Sequence, residues 1–472
     1  MIGSRLRAAT LAVVLGLALA VAWLASSTPA PVSASAPADR FSAERAMTDV
    51  RQVAARPHPT GSPENARVRD YLVGRLQALG FETRVQRARA FETRGSAYVS
   101  GGAVENVVGL YRGSHAGLPA LAIMAHYDSV PGSPGGSDDA AGVASALEAA
   151  RALLSAGKPV RDVMVVLTDG EEIGLLGAKA FFEQDPAAKR IGAVVNMDTR
   201  GGGGRAYMFE TSGGNGALID LFRKSAVRPT STSLAVFLYE HMPNGTDFTI
   251  PKDLGVIGLN YAFIGRQFDY HSPSSTAESL ERGALQHMGE QVLASARAFA
   301  FSDTLPERGE DAVYADLFGG PIIAYAPVVG WLVAAIAIGL CAFVVARVRR
   351  RGGIAWPELA RGVGGALWLM FSLGALFAAV RHATLIPDGF VTGRPLLAQF
   401  GVYESALFLG GLGALLLTGA AFEGGRARLW SAALGLGLAL ICYPFAHDLI
   451  GAALGVLAAV AGRSEEHPSE LQ

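Results

Sequence analysis

The chain has almost no cysteine: two residues in 472, Cys341 and Cys442, both inside apolar stretches. A disulfide framework or a thiolate-rich metal site is therefore excluded from the polar part of the sequence. It also lacks an excess of charge, with 40 Lys and Arg against 41 Asp and Glu. No basic stripe with interleaved aromatics occurs between residues 41 and 303, which excludes the usual footprint of a nucleic-acid partner. The one dense basic run is Arg347 to Arg351.

The residues present in excess are apolar, and they are unevenly spread. A chain of 472 residues exceeds the roughly 250–300 at which single cores stop growing, so more than one structural unit is expected. A cytoplasmic N-terminus is expected at 1–7, then at 8–26 a transmembrane anchor or signal peptide. Ala8 to Ala25 comes after Arg5 and Arg7 and, at about 18 residues, is long enough to span a bilayer. Small residues from Pro31 to Ala36 would suit cleavage; the length of the run favours an anchor, and either reading exports the polar domain beyond it. A linker at 27–40, a globular domain at 41–303 and a second linker at 304–321 are expected next. Residues 322–462 form a transmembrane region of about four to five spans, with apolar runs at Ile322–Ala346, Val363–Val380, Ser405–Phe422, Leu429–Cys442 and Leu449–Ala461. Arg5 and Arg7, Arg347–Arg351, and Arg426 with Arg428 are cytoplasmic by the bias of short loops, which turns the globular domain outward. Within the spans only Glu404, His447 and Asp448 are ionisable, all near predicted ends, so these helices read as anchors rather than a transport path. The tail, Arg463 to Gln472, breaks abruptly from the apolar run before it. It resembles, with one residue different, the translation of a common sequencing adaptor, so a non-native tail at 463–472 and a natural chain continuing beyond Gly462 are expected.

Within the globular domain, amphipathic segments at Ala43–Ala54 and Pro63–Leu79 flank the turn-rich Pro57–Ser62; Val68, Tyr71, Leu72, Leu76 and Leu79 recur at helical spacing. Short β-branched runs at Asn106–Tyr111, Leu118–Ala125, Val163–Thr168 and Ala193–Met197 alternate with helical stretches at Ala140–Ala156 and Ile173–Phe182. Near-continuous apolar strands between helices predict an α/β fold with a mostly parallel central sheet and helices on both faces. Ligands of such sheets bind beyond the carboxyl ends of the strands. There the sequence places His126-Tyr127-Asp128, Asp169-Gly170-Glu171-Glu172 and Asp198.

Asp138-Asp139 and His271 complete the set of imidazoles and carboxylates. Taken singly each has a bland explanation, Asp138-Asp139 as a helix cap and first turn, Glu171-Glu172 as a solvated face. Taken together, adjacent carboxylates at the ends of buried strands repel and need cations. Donors without thiolate suit zinc, with manganese or cobalt as substitutes.

The motifs His126-Tyr127-Asp128-Ser129, Ser137-Asp138-Asp139-Ala140-Ala141-Gly142, Asp169-Gly170-Glu171-Glu172-Ile173-Gly174, Asn196-Met197-Asp198 and Tyr270-His271-Ser272 resemble, in order, the five metal-site motifs of the M28 zinc aminopeptidases. The resemblance implies two Zn2+ ions bridged by Asp138, one completed by His126 and Asp198, the other by Glu172 and His271. It further implies Glu171 as general base, Asp128 as the partner that orients His126, and Tyr270 as the phenol that stabilises the oxyanion. Ser137 and Ala140-Ala141 depart from the Asn and Gly-Ser of many members. The membrane segments make the chain similar to the multi-spanning branch related to endoplasmic-reticulum metallopeptidases.

The expected activity is hydrolysis of peptide bonds, releasing N-terminal residues from peptide substrates on the extracytoplasmic side of a lipid bilayer. A glutaminyl-cyclase-like enzyme with one zinc and an inactive receptor or scaffold on the same fold are the alternatives. Gly201–Gly204 reads as a flexible loop or an anion site, and Asp247 either as a contact for a substrate amine or as part of a surface turn. Nothing in the sequence sets an oligomeric state.

Overall fold

The computed structural model describes residues 24–94, 98–242 and 244–351, with positions 13, 16, 17, 20, 356, 357 and 374. It divides into two compact units, residues 1–327 and 328–472.

The first unit opens with helices α1 (Ala43–Val53) and α2 (Pro63–Ala78). Each starts on a serine whose hydroxyl accepts a backbone N–H three residues on, from Arg45 at Ser42 (3.2 Å) and from Asn65 at Ser62 (3.1 Å). This satisfies donors that a helix start leaves unpaired. Strands β1 (Glu82–Arg94), β2 (Tyr98–Tyr111) and β3 (Ala120–His126) come next, then α3 (Ala140–Ser155), β4 (Val163–Thr168), α4 (Leu176–Gln184), β5 (Ile191–Met197) and β6 (Gly203–Thr211). After α5 (Gly216–Ser225), α6 (Ser233–Glu240) and α7 (Thr249–Asp253) come β7 (Ile257–Gly265), α8 (Arg282–Ala300), β8 (Val313–Asp316) and β9 (Ile322–Tyr325).

Seven strands form one sheet in the order β1-β2-β4-β3-β5-β7-β6. The inner four, β4-β3-β5-β7, are parallel, while β1–β2, β2–β4 and β6–β7 pair antiparallel. The sheet is thus mixed, and the mostly parallel sheet expected from the apolar runs describes its centre. All seven residues of β3 are buried. Leu121, Ile123 and Ala125 join the core that includes α1, α3 and α8, and Ala120, Ala122 and Met124 pack with Phe181, Phe182 and Phe248 on the other face. Side chains alternate across a strand, so helices on both faces explain why the inner strands are apolar throughout. The chain leaves β3 for β4 on one side and then crosses to β5 on the other, a switch point where α/β sheets place ligands beyond the strand ends.

The helix expected from Ile173 begins instead at Leu176, because Leu175 adopts φ 58° and the turn before it is given over to Glu171 and Glu172. Gly177 in its first turn touches the backbone of Asp169: a Cβ there would lie 2.2 Å from the Asp169 carbonyl oxygen and 2.5 Å from Asn106 Oδ1. Gly177→Ala is therefore expected to destabilise the domain by about 1–3 kcal/mol, as overpacked cores do, read as a lowered denaturation midpoint at unchanged slope. Gly201–Gly204 packs closely against its surroundings rather than forming a free loop, and Gly203 opens β6. A Cβ would meet the Gly265 carbonyl at Gly201, Asp269 at Gly202 and Glu281 at Gly203, and Gly204 N donates to Glu281 Oε2 (2.8 Å). The segments 27–40 and 304–321, expected as linkers, touch the domain: Val32 N donates to Gln286 Oε1 (3.0 Å), and Asp316 N to the Ser231 carbonyl (2.9 Å).

In the second unit the helix α9, Pro327–Arg350, is long and apolar enough to cross a membrane, the one such helix among the described residues. It overlaps the expected run at Ile322–Ala346, whose first four residues form β9, and continues past it to Arg350. Cys341 lies exposed on it. The further expected spans, Cys442 and the 463–472 tail lie outside the described residues, as does most of 8–26.

Candidate metal centre

His126 is the last residue of β3, Glu171 and Glu172 come just after β4, and Asp198 just after β5. The three parallel strands end side by side, so residues far apart in sequence share one edge. Asp138 arrives in the loop before α3, whose N-cap is Asp139: Asp139 Oδ1 accepts from Gly142 N (3.1 Å). The Asp138–Asp139 peptide is cis. His271 lies beyond β7 and holds φ 51°, a left-handed conformation that a non-glycine residue keeps only when its surroundings enforce it.

Asp138 stands between the two imidazoles, its Oδ1 2.9 Å from His126 Nε2 and its Oδ2 3.1 Å from His271 Nε2. Glu172 Oε2 lies 2.9 Å from the same His271 nitrogen. Donor atoms of His126, Asp138 and Glu172 all fall within 4.8 Å of one another, as do those of His126, Glu171 and Asp198. His126 is thus common to both groups. Glu172 Oε1 and Asp139 Oδ2 are buried with no hydrogen-bond partner. An unpaired buried carboxylate oxygen is costly, and oxygen and nitrogen donors aimed into one space are what a divalent cation of the zinc type requires; the residues fit such an ion.

Asp128 does more than face His126, whose Nδ1 is 3.1 Å from the Asp128 carbonyl and 3.5 Å from its Oδ1. Its carboxylate accepts the backbone N–H of Glu171 (3.1 Å) and of Glu172 (3.3 Å), and the hydroxyl of Thr60 (3.2 Å). One buried side chain therefore ties the ends of β3 and β4 together. Asn65 donates to Asp169 Oδ1 (3.1 Å) and Asp169 Oδ2 accepts Glu105 N (3.0 Å), bracing the same turn from behind. Tyr270 stacks on the His271 ring with centroids 3.8 Å apart, and the Arg200 guanidinium lies 4.8 Å from the phenol ring. Asp247 is buried, not part of a surface turn: Thr168 Oγ1 donates to its Oδ2, while its Oδ1 has no hydrogen-bond partner.

Sequence reasoning passed over Thr60, Thr168 and Arg200. Thr60 sits in a segment whose prolines and glycine announce only a turn, and Arg200 two residues beyond Asp198 carries no motif of its own. Every predicted site residue, His126, Asp128, Asp138, Glu171, Glu172, Asp198, Tyr270 and His271, stands at this one edge.

Protons hold the crowded carboxylates together when no cation does. Burial first, and then the charge of Asp138 among its neighbours, pushes the Glu172 carboxyl up to about 7 and that of Asp198 up to about 8. Burial and then Asp198 push Glu171 well above the usual carboxylate range. Burial disfavours a charged His271, yet Glu172 and Asp138 outweigh it and raise the imidazole to about 10. Each of these folded values exceeds the unfolded one, so each group binds protons more tightly in the native state. The stability it contributes is present below the unfolded value and is lost as pH rises through the folded one. Chelator-treated protein is therefore expected to melt at a lower temperature at about pH 8 than at about pH 5, with zinc reversing the drop because cations bind the deprotonated donors. Calorimetry at the two pH values, with and without zinc, measures it.

The fold and the site define an α/β domain that gathers imidazoles and carboxylates for divalent cations at the carboxyl edge of its parallel strands. Residues 106–296 match the model of Peptidase family M28, and the chain carries a domain of that family. Curated relatives include mouse endoplasmic reticulum metallopeptidase 1, 34% identical over 222 residues, which are 45% of this chain and 25% of that protein. The vacuolar membrane protease of Candida dubliniensis is 29% identical over 364 residues, 74% of this chain and 38% of that protein. The chain spans less than half the length of these relatives. Among solved structures, it is similar to an aminopeptidase from Aneurinibacillus sp. strain AM-1 (15% identity, TM-score 0.45, 58% of this chain and 98% of that one). A glutaminyl cyclase from Porphyromonas gingivalis is similar at 21% identity and TM-score 0.43, over 54% of this chain and 98% of that one.

Proposed function

We propose that the chain is a membrane-anchored two-zinc metallopeptidase that hydrolyses peptide bonds and releases N-terminal residues from peptides on the extracytoplasmic side. The observation that carries this reading is Asp138, whose two carboxylate oxygens face His126 and His271 separately. In this reading Asp138 would hold both ions, His126 and Asp198 would supply the other donors of one, and Glu172 and His271 those of the other; manganese or cobalt would substitute. Bound there, a pair of divalent ions polarises the scissile carbonyl and lowers the pKa of the attacking water.

The chain's own groups do the rest. Glu171 takes the proton of the attacking water and passes it to the leaving amine. Its backbone N–H is held by Asp128 (3.1 Å), which aims the carboxylate while the same residue faces the Nδ1 of His126. Fixing a ligand through its second nitrogen sets both tautomer and ring orientation. The Tyr270 phenol, held well above its ordinary pKa by burial and then by Asp138, keeps its proton at neutral pH and donates to the developing oxyanion. The 8–26 run, α9 and the later apolar runs hold the domain at the bilayer in a multi-pass arrangement, with Arg347–Arg351 on the cytoplasmic side.

The test is zinc content per chain together with product analysis on three peptide sets, with free, blocked and glutamine N-termini. Two ions per chain and loss of the N-terminal residue from free peptides only are expected. Cleavage of blocked peptides alone overturns the aminopeptidase reading. One ion, with loss of ammonia from glutamine peptides, assigns a cyclase; zinc without any turnover assigns a scaffold.

A further inference from the structure

Two stretches of the first unit lead toward apolar segments, and they meet. Residues Leu24–Ser26 are helical and continue from the 8–26 run, with Leu24 exposed. The next residue, Ser27, offers its carbonyl to Arg205 Nη1 (3.2 Å). The same guanidinium lies against Gly319, where an added Cβ would stand 2.6 Å from Arg205 Nη2. Gly319 belongs to the turn of the β8–β9 ribbon, and β9 ends at Tyr325, two residues before Pro327 opens α9.

Beside this junction the ribbon and α6 expose apolar side chains. In the ribbon, Ala315 pairs with Ile323 and Val313 with Tyr325. Tyr314 and Ile322 turn inward and are buried, leaving Ile323 at 48% and Phe318 of the turn at 69% exposure. The acidic residue of the turn spends its charge inward, Asp316 accepting Ser231 N (2.9 Å) and Gly319 N (2.6 Å). Thr232 bridges to Ala315, bringing α6 alongside. Leu234, Phe237 and Leu238, at i, i+3 and i+4 of that helix, are exposed at 62%, 55% and 56%. Exposed apolar side chains grouped on two neighbouring elements, rather than scattered singly, mark a binding surface.

We propose that this face, the β8–β9 ribbon with the outer side of α6, rests in the headgroup region of the bilayer, so that the catalytic domain is seated on the membrane instead of swinging above it. The inference rests on reading 8–26 and α9 as membrane segments. Covalent continuity argues for lipid as the occupant: the chain goes into the apolar helix two residues after the ribbon, and the end of the first apolar segment docks on the arginine behind it. Amphipathic surfaces of this kind bury their apolar side at the boundary of headgroups and acyl chains.

The test uses the full chain with Cys341 and Cys442 replaced by serine, reconstituted at one molecule per lipid nanodisc. Single spin labels are placed at Phe318→Cys, Ile323→Cys and Phe237→Cys, with Ile336→Cys in α9 and Glu183→Cys, on α4 beside the far edge of the sheet, as references. Labels at 318, 323 and 237 are expected to collide several-fold more with lipid-soluble oxygen than with an aqueous nickel complex, the reverse of Glu183→Cys. If these three resemble position 183 while 336 stays in lipid, the seating is overturned. If 336 also resembles 183, the membrane reading of α9 falls with it. Shielding from both reagents that appears only when several chains share a disc assigns the face to a second copy and overturns lipid. None of these outcomes depends on peptidase activity. All the labelled positions are exposed side chains, and the unchanged melting temperature of each variant is checked alongside.

Discussion

Glu171→Gln is expected to keep zinc at the wild-type stoichiometry and to lose turnover by about 10²–10⁴-fold, the range that positioned acid–base groups contribute. The substitution preserves shape and the backbone N–H that Asp128 accepts, so the turn carrying Glu172 stays in place. What it removes is a proton acceptor. The measurement separates two roles that proximity alone leaves together, because Glu171 donor atoms also lie within 4.8 Å of those of His126 and Asp198. Loss of an ion with the loss of activity makes Glu171 a ligand; activity kept in zinc-replete protein ends its assignment as base.

Asp138→Ala is expected to have the larger effect on the metal itself: less than one zinc ion per chain under conditions that saturate the wild type, and hydrolysis at background. Asp138 is buried and holds both imidazoles at hydrogen-bond distance, 2.9 and 3.1 Å. Removing it deletes a donor from each proposed ion at once and takes the shared carboxylate partner from the His126 and His271 imidazoles. A buried charge that loses its partner is strongly destabilising, so the variant is also expected to melt lower than the zinc-loaded wild type. Elemental analysis after dialysis and thermal melting measure the two effects. Full zinc content in Asp138→Ala would remove the bridging role.

The inner strands β3, β4 and β5 were legible because burial on both faces makes them nearly all apolar: Val163–Thr168 reads as a strand directly and coincides with β4. Of the flanking strands only the end of β2, Asn106–Tyr111, was legible. β1, Glu82–Arg94, alternates charged with small residues, and its pairing with β2 places Arg87 beside Glu105. Such a pattern gains its meaning only from a cross-strand neighbour. The same holds for β6; β7, parallel to β5, was missed with it, and their antiparallel pairing closes the other side of the sheet.

The sequence by itself determined the donor inventory, its order and its position after buried strands, since only apolar runs ending in carboxylates and imidazoles produce that pattern. It also determined the scarcity of thiols in the globular domain. Only the tertiary structure decided which donor meets which: that Asp138 stands between His126 and His271, that Asp128 clamps the Glu171–Glu172 turn with Thr60, and that Asp247 lies buried beside Thr168. It likewise brought Ser27 and the β8–β9 turn together on Arg205. The physical reason is the same in each case: spacing along a chain fixes periodicity and local caps, whereas contacts between strand ends depend on the crossover order of the sheet.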